Sequence, residues 1–207
     1  MSMQRKWGTR MLQRYATIIV AGIFLASTAF AGVTDDVKKT VDEVIRIVAD
    51  NNLKKHGKQR RQALKKAISN MFDYSEMGKR ALGKHWNQLT QAERNQFASL
   101  FASLLESSYA SKIESYNNEK IVYLRETLDG DYAEIKSMVI TQKRDEYSVD
   151  YRLLNENGKW MVYDVVIEGV SLVSNFRTQF AKIISKNGYN ELVKKLQMKS
   201  SDINSSS

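Results

Sequence analysis

The side chains that most often do chemistry in proteins are scarce in this chain of 207 residues. It has two histidines, His56 and His85, and no cysteine. Neither histidine stands in an HxH or HxxxH spacing that would place two ligands on one metal ion. No G-x-S-x-G sequence presents a nucleophilic serine, and a cysteine nucleophile is excluded outright. We therefore predict no catalytic residue and no metal site, and a surface or structural role for both histidines.

One segment comes close to a phosphate-binding loop. Residues 78–85 read GKRALGKH, which matches G-x-x-x-x-G-K up to its last position. There His85 replaces the Ser or Thr that would hold Mg²⁺. The motif also requires a strand before it, whereas the preceding residues have helical spacing. We interpret the match as a coincidence.

Two acidic residues lie in segments with the pattern of strands. Asp150 and Asp164 have apolar neighbours, so either carboxylate could serve as a general base with a raised pKa in an apolar pocket. The alternative, which we expect, is that Asp164 pairs with a nearby Lys, Arg or Tyr. An exported enzyme with an acid in a sheet pocket therefore stays open as one interpretation of the chain.

Positive charge is concentrated in residues 54–66, which hold seven Lys and Arg. The whole chain has a formal net charge of +9. A basic balance favours acidic partners or anionic membrane surfaces, although it also serves solubility. The run itself is typical of a solvated helix face, and it could also dock on an anionic bilayer or an acidic partner.

The first 31 residues predict an export signal. A positively charged start is followed by an apolar run over residues 16–25 and by the small-x-small sequence Ala29-Phe30-Ala31. The run is too short to cross a bilayer, which takes about 20 residues. We expect cleavage after Ala31 and a periplasmic protein, with an uncleaved N-terminal anchor as the alternative. Export makes nucleic acid an unexpected partner. The positive residues of the signal are Arg5, Lys6, Arg10 and Arg14.

Residues from about 33 to 116 have the apolar spacing of helices. Thr34 or Asp35 is expected to cap the first helix, and the stretch 51–57 to interrupt the helical run. Asp73 followed by Glu76, and Thr90 followed by Glu93, are typical of capping boxes. The helix that begins after Thr90 has a broad apolar face, formed by Phe97, Leu100, Phe101, Leu104, Leu105 and Tyr109.

The apolar period changes near residue 118 to that of strands. The turn dipeptides Asp129-Gly130 and Asn157-Gly158 favour tight hairpins. Strict alternation in the last strand places Val162 and Val166 on one face, and Val165 and Ile167 on the other. The predicted strands are Ile121 to Leu128, Tyr132 to Gln142, Tyr147 to Leu154 and Lys159 to Glu168.

Helical spacing returns from about residue 170 to 198, and the polar, Ser-rich residues 199–207 indicate a disordered tail. Helices followed by strands predict an α+β fold. We expect one curved antiparallel sheet of about four strands with helices packed on its concave face. The last strand is apolar on both faces, so it is either covered on both sides or lines an enclosed space.

Adaptable apolar and aromatic side chains are frequent in the strand region. Core packing is the default explanation, and a large ligand cavity requires the same residue types, so this pattern alone does not decide between them. These residues are Tyr123, Tyr132, Met138, Tyr147, Tyr151, Trp160, Met161 and Tyr163.

The segment 160–173, WMVYDVVIEGVSLV, resembles the signature of the MlaC family, also called toluene-tolerance proteins. Residues 175–180, NFRTQF, match the family's N-[YF]-R-x-Q-F continuation. The resemblance extends from about Val33 to Leu196, and departures are confined to the Ser-rich tail and individual loops. Upstream matches are Phe72-Asp73-Tyr74, Met77, Leu82-Gly83, Trp86, Gln96-Phe97 and Phe101.

The resemblance implies a single lipid-binding domain over residues 32–198, with a helical part, a sheet and C-terminal helices enclosing an apolar cavity. It implies a periplasmic carrier, not an enzyme, that moves glycerophospholipid and thereby maintains the lipid asymmetry of the outer membrane. The implied partners are an outer-membrane lipoprotein–porin complex and an inner-membrane lipid ABC transporter complex with its periplasmic substrate-binding subunit. Transient contact near membranes follows, and no cofactor is implied besides the bound glycerophospholipid.

The apolar faces and the family segments together give our candidates for contact with acyl chains. Headgroup contacts are not assigned, because the headgroup is expected to stay near solvent. A binding module for small apolar molecules, or a periplasmic scaffold, stays open as an alternative. The candidates are Met77, Leu82, Leu100, Leu104, Val139, Val149, Tyr151, Val166 and Val170.

Overall fold

The structure, a computed structural model, describes residues 32–205. The export signal predicted for residues 1–31 lies outside the described residues. Helix α1 spans Val33–Ala49. The expected cap at Thr34 or Asp35 is wrong by two to three positions, since Gly32 is the N-cap and the Asp35 carboxylate accepts its N–H at 3.3 Å. The Thr34 N–H instead donates to the Glu126 carboxylate at 2.8 Å.

The segment expected to interrupt the helices contains a short helix of its own. Asp50 is extended and ends α1, and its carboxylate then accepts the N–H groups of Asn52 at 2.8 Å and Leu53 at 3.0 Å. This cap starts α2, which spans Asn51–Lys55. Helix α3 follows over Gly57–Ser69.

The next helices begin at the predicted caps. Helix α4 spans Tyr74–Leu82 and is capped by Asp73, and Gly83, with a φ of 56°, ends it. A 3₁₀ helix over Gly83–Gln88 leads to α5, Gln91–Glu114, where Thr90 and Glu93 form the reciprocal capping box. The near-match to a phosphate-binding loop therefore lies on a helix and its end. A Cβ at Gly78 would lie 3.3 Å from the Phe97 ring, so glycine there allows close helix packing.

The strands form one antiparallel meander in the order β1-β2-β3-β4-β5. The predicted α+β class with a single antiparallel sheet is confirmed. The fifth strand, two residues long, is an addition to the four expected ones. The strands are β1 Lys120–Asp129, β2 Tyr132–Ile140, β3 Glu146–Glu156, β4 Lys159–Ile167 and β5 Val170–Ser171.

Turns and bulges set the shape of the sheet. Asn157 and Gly158 both have positive φ, 54° and 88°, as a tight hairpin turn between β3 and β4 requires. The register shifts between Tyr123 and Arg125 in β1, and between Arg152 and Leu153 where β3 pairs with β4. Such bulges bend a strand and increase its twist.

The last two helices are α6, Leu172–Asn187, and α7, Tyr189–Ser205. The disordered tail predicted from Lys199 differs from the structure, in which α7 continues through Ser205. Leu192 and Leu196 are buried and anchor α7. Extending an anchored helix costs much less than starting one, so polar residues can follow as further turns.

Three buried clusters organise the described residues, the smallest of which joins α1 to α3 through Ile47, Val48 and Leu64. The helical core joins α4, α5, α6 and α7, and the sheet core joins α1 to the sheet. Phe72 packs against both. The helical core includes Met77, Leu82, Phe97, Phe101, Leu104, Phe176 and Phe180. The sheet core includes Val33, Val37, Met71, Ala133, Ile135, Leu153, Val162 and Val165.

Candidate ligand-binding site

The sheet face covered by α1 is closed at one end and open at the other. At the closed end Ile135 and Leu153 have no exposed surface. Toward the connection between β2 and β3, five side chains on this face remain half-buried. We call this set the tyrosine recess: Tyr123, Tyr147, Val149, Tyr151 and Ile167.

The strand register brings the recess together. Tyr151 pairs with Ile135 on one side and Val165 on the other, and Val149 pairs with Ile167. Tyr147 pairs with Val139, which is buried beside it. Because residues directly opposite in adjacent strands point to the same face, these side chains line one continuous surface.

Tyr151 marks the depth of the recess. It lies on the central strand of five, on the face that α1 covers. Burial raises the pKa of its hydroxyl well above the ordinary value. The side chain nevertheless keeps some accessible surface. Since Tyr151 is on the central strand, the half-buried set extends to the middle of the sheet.

Hydroxyl groups line this apolar surface. The Tyr123 hydroxyl is buried and has no hydrogen-bond partner among the described residues. Burial, with a smaller contribution from the Asp42 carboxylate, raises the pKa of Tyr123 to about 12. Burial and the Glu119 carboxylate likewise raise the pKa of Tyr147. Buried phenol groups of this kind stay neutral at pH 7 and can donate to a polar atom of a ligand.

A second polar position lies where α3, α4 and α5 meet. Burial, followed by the Glu106 carboxylate, raises the pKa of the Tyr74 hydroxyl well above its usual range. One Glu106 oxygen accepts from Lys65 at 3.2 Å, while the other is buried without a partner. Tyr74 also stacks on Phe72, the residue between the two cores, with ring centroids 6.2 Å apart.

The candidates for acyl-chain contact fall into separate groups. Val139, Val149 and Tyr151 are brought together in or beside the tyrosine recess. The four candidates on helices lie elsewhere, in or against the helical core. There the rings of Phe101 and Phe176 meet edge-on at 5.3 Å, so the surroundings are close-packed. These four are Met77, Leu82, Leu100 and Leu104.

Two candidates lie outside the half-buried set, one on the opposite face of the sheet and the other at the sheet edge beside Ile167. Val166 is buried but pairs with Asp150 and Ser171, on the sheet face opposite Tyr151. The cause is the bulge: Leu153 pairs with Val162 and Arg152 with Asp164, which leaves Tyr163 as an extra residue. Alternation is therefore interrupted, and Val166 changes face. Val170, in the edge strand β5, is 56% exposed.

The sequence interpretation missed Tyr123 and Ile167 as site residues, and it noted Tyr147 only as one of many adaptable side chains. The alternation of Tyr147, Val149 and Tyr151 could have identified the face. Tyr123 and Ile167 need the register between strands, which a single sequence does not supply.

Asp164 is paired, as the favoured alternative predicted. It is 3% exposed and accepts from Ser171 Oγ at 2.6 Å, the Val173 N–H at 3.1 Å and Arg152 Nη1 at 3.3 Å. These contacts join β4 to the start of α6 and leave the carboxylate engaged. A groove beside its partner Arg152, lined by Tyr132, Glu134 and Tyr163 among others, measures about 190 Å³. Pockets that hold a small molecule are usually about 300–1,000 Å³.

Neither histidine gains a metal-like environment. His56 Nδ1 lies 2.8 Å from the Asn52 carbonyl oxygen, a local contact at the end of α2. Within residues 32–205, no group of three or more His, Asp and Glu side chains converges as a metal ion would require. In the same part of the chain, no helix is long and apolar enough to cross a membrane.

Fold and site together define a class: an α+β protein in which a recess on an open antiparallel sheet, lined by apolar and phenolic side chains, lies under covering helices. Residues 38–198 match the family model described as MlaC protein. Since this match covers more than half of the chain, the protein belongs to the MlaC family, as its resemblance to that family indicated.

Two relatives and one solved structure are similar to the chain. It is 29% identical over 129 residues to the intermembrane phospholipid transport system binding protein MlaC of Haemophilus influenzae, a match that spans 60% of each protein. It is 26% identical over 182 residues to the toluene tolerance protein ttg2D of Pseudomonas putida, covering 86% of the chain and 85% of that protein.

The structural neighbour is a phospholipid-binding protein from Ralstonia solanacearum, solved in complex with a phospholipid at 1.53 Å resolution. It superimposes with a TM-score of 0.73 at 28% sequence identity. The superposition covers 81% of this chain and 96% of the neighbour.

Proposed function

We propose that this protein is a phospholipid carrier and that the tyrosine recess holds the acyl chains. The observation that carries the proposal is the half-buried apolar surface of Tyr123, Tyr147, Val149, Tyr151 and Ile167 on an otherwise buried sheet face. Family membership and the phospholipid in the neighbour from Ralstonia solanacearum support it.

The physical demand on such a carrier is large. Exposing acyl chains to water costs about 0.8 kcal/mol per CH₂ group, so a lipid with roughly 30 such groups faces a barrier on the order of 20 kcal/mol. A carrier must therefore replace the bilayer around the chains almost completely. An apolar recess that reaches the middle of a sheet and is roofed by helices suits this task, since it can admit chains while its rim stays in water.

The finer role follows from the family. We propose that the protein works in the periplasm after cleavage behind Ala31. It would receive glycerophospholipid from one membrane complex and deliver it to another, maintaining outer-membrane lipid asymmetry. The partners are an outer-membrane lipoprotein–porin complex and an inner-membrane ABC transporter complex with its substrate-binding subunit. The direction of net transport would then depend on how differently these partners bind the loaded and empty forms.

Within the site, we place the acyl chains against Val139, Val149 and Tyr151, together with Tyr123, Tyr147 and Ile167. The four helical candidates Met77, Leu82, Leu100 and Leu104 would support the covering helices from behind. Val166 faces the other side of the sheet, and Val170, although it pairs with Ile167, is mostly exposed at the edge of the sheet and is left out. The headgroup stays near the open end, where Asp42, Tyr116 and Glu119 lie.

Native mass spectrometry of the protein isolated from cells, followed by organic extraction, tests the proposal. We expect a mass increment equal to a diacyl glycerophospholipid, and the extracted mass gives the number of chains bound. A protein that is repeatedly isolated without lipid, and that takes up none from vesicles, would refute the carrier function. A different small apolar ligand in the extract would assign the recess to another class of molecule.

A further inference from the structure

The segment that forms α2, α3 and the turn after them is basic throughout. Residues 51–72 contain seven Lys and Arg and no Asp or Glu. Nearby acidic groups must therefore come from other elements. Asp50, the residue just before the segment, already uses its carboxylate to cap α2.

The structure divides these seven charges into two groups. One group turns toward α5: Arg60 lies 3.0 Å from the Glu114 carboxylate, Arg61 3.8 Å from the same group, and Lys65 3.2 Å from Glu106. Arg60 is half-buried, so this contact fixes α3 against α5. Both carboxylates of α5 that face the segment are engaged by this group.

The other group faces solvent. Lys54, Lys55, Lys58 and Lys66 are exposed, and none makes an ion pair within the described part of the chain. We call these four residues the lysine patch.

The composition of the lysine patch favours a bilayer over a protein partner. Protein interfaces are anchored by buried aromatic or Arg residues and are poor in Lys. Both arginines of this segment contact the Glu114 carboxylate of α5, and the large apolar side chains that are exposed lie elsewhere: Leu124, Leu128, Tyr132, Val170 and Met198. An anionic bilayer needs no apolar anchor, because each Lys near its surface adds a similar attraction.

We propose that the lysine patch docks this protein on the surface of bilayers that contain anionic phospholipid. The proposal goes beyond the carrier function and does not depend on it. The docked surface adjoins the helix that covers the recess, because Leu53 of α2 and Leu64 of α3 pack in one cluster with Ile47 and Val48 of α1. Docking would thus bring the covering helices of the recess toward the bilayer.

Vesicle flotation with the protein isolated from cells tests this inference. The probes are vesicles of phosphatidylcholine alone and vesicles with one third phosphatidylglycerol, in 0.05 M salt. We expect binding only to the anionic vesicles and release in 1 M salt, where the screening length falls to about 3 Å. Replacing Lys54, Lys55, Lys58 and Lys66 by Gln should weaken binding on the order of 1,000-fold, because each lysine contributes roughly fivefold and the four factors multiply.

A matched variant controls for net charge. Lys182, Lys186, Lys194 and Lys199 are also four exposed lysines, on α6 and α7, and replacing them by Gln removes the same charge. The affinity of this variant for anionic vesicles should stay within about threefold of that of the natural protein, which is less than the loss expected from one docking lysine. All eight positions are exposed, so both variants should keep the melting temperature of the natural protein and its lipid content by native mass spectrometry. A loss of vesicle binding with normal lipid content would then separate docking from lipid carriage.

The inference would be overturned by equal losses in the two variants, since binding would then follow net charge alone. No binding of the natural protein to anionic vesicles would also overturn it. If the lysine patch is instead required for retention on an immobilised acidic peptide while vesicles are ignored, the surface belongs to an acidic protein partner.

Discussion

The helical core and the tyrosine recess are both rich in aromatic side chains and use them in different ways. In the helical core, phenylalanines meet edge-on, with Phe97 and Phe180 at 5.7 Å and Phe101 and Phe180 at 5.4 Å. In the recess the aromatic residues are tyrosines, and they remain half-buried. A phenyl ring can be enclosed completely, whereas a phenol usually finds a partner or keeps access to one; in the recess the Tyr123 hydroxyl is the exception. The difference suggests that the helices provide stability and the sheet provides the adaptable surface.

The largest expected effect is in the helical core. Leu104 is 7% exposed and packs among phenylalanines. Leu104→Asp should cost at least about 4 kcal/mol of unfolding free energy, because it removes buried apolar volume and places a carboxylate there. A circular dichroism spectrum that keeps its native helical signal and melting temperature would contradict the assignment.

Asp164 tests whether the two regions unfold together, since it ties β4 of the sheet to the first turn of α6. Asp164→Ala leaves the Val173 N–H, Ser171 and Arg152 without their acceptor and should cost about 2–3 kcal/mol. We expect the denaturant unfolding curves of this variant, recorded by circular dichroism and by tryptophan fluorescence, to coincide. Two separate transitions would mean that the two regions unfold independently. As a control, Glu134→Ala removes a half-exposed partner of Arg152 and should cost about 0.5 kcal/mol.

In the recess, a charge should affect binding more than folding. Val149→Asp places a carboxylate on a surface with access to solvent, so we expect a loss of about 1–2 kcal/mol in stability. Lipid recovered by native mass spectrometry should fall at least about tenfold, because acyl chains would have to desolvate the charge. Met138→Asp is the matched control, since Met138 is half-buried on the opposite face of the neighbouring strand. Normal lipid content in the Val149 variant would show that the recess is not where the acyl chains bind.

The smallest expected effects concern two tyrosine hydroxyls and have opposite signs. Tyr123→Phe removes a buried hydroxyl without a partner, so lipid-free protein should become more stable by about 1 kcal/mol. Tyr116→Phe removes a hydroxyl that donates to the Glu119 carbonyl oxygen at 2.9 Å, so it should lose about 1 kcal/mol. Urea unfolding of both variants gives the two changes in the free energy of unfolding. A stability loss of equal size in both would mean that the Tyr123 hydroxyl has a partner in solution.

Local patterns were sufficient to predict most of the fold. The caps at Asp73 and Thr90, the glycine that ends α4 and the Asn157-Gly158 turn all depend on neighbouring residues, and the structure confirms each of them. The short helix α2 and the continuation of α7 were missed. Both follow from favourable starts, a cap at Asp50 and a packed first half of α7, in segments whose own composition is polar.

The site was predicted only in part, because it depends on contacts between distant segments. Alternation within β3 identified Val149 and Tyr151 correctly as neighbours on one face. The predicted face of Val166 was wrong, because a bulge adds one residue to the strand and reverses the alternation beyond it. No feature of a single strand marks that bulge. Apolar helix faces showed that Met77 and Leu104 are buried but did not show whether they face the sheet or the other helices.

The bulge after Tyr123 has a consequence for how copies of this protein meet. β1 is the outermost strand, and its free edge carries Leu124 and Leu128, each 58% exposed. A straight apolar edge invites another chain to add a strand, which leads to aggregation. Here the register break interrupts the ladder, and the Glu126 carboxylate holds the start of α1 through the Thr34 N–H. A second chain would meet a bent, charged and partly occupied edge, which favours a protein that stays dispersed at high concentration.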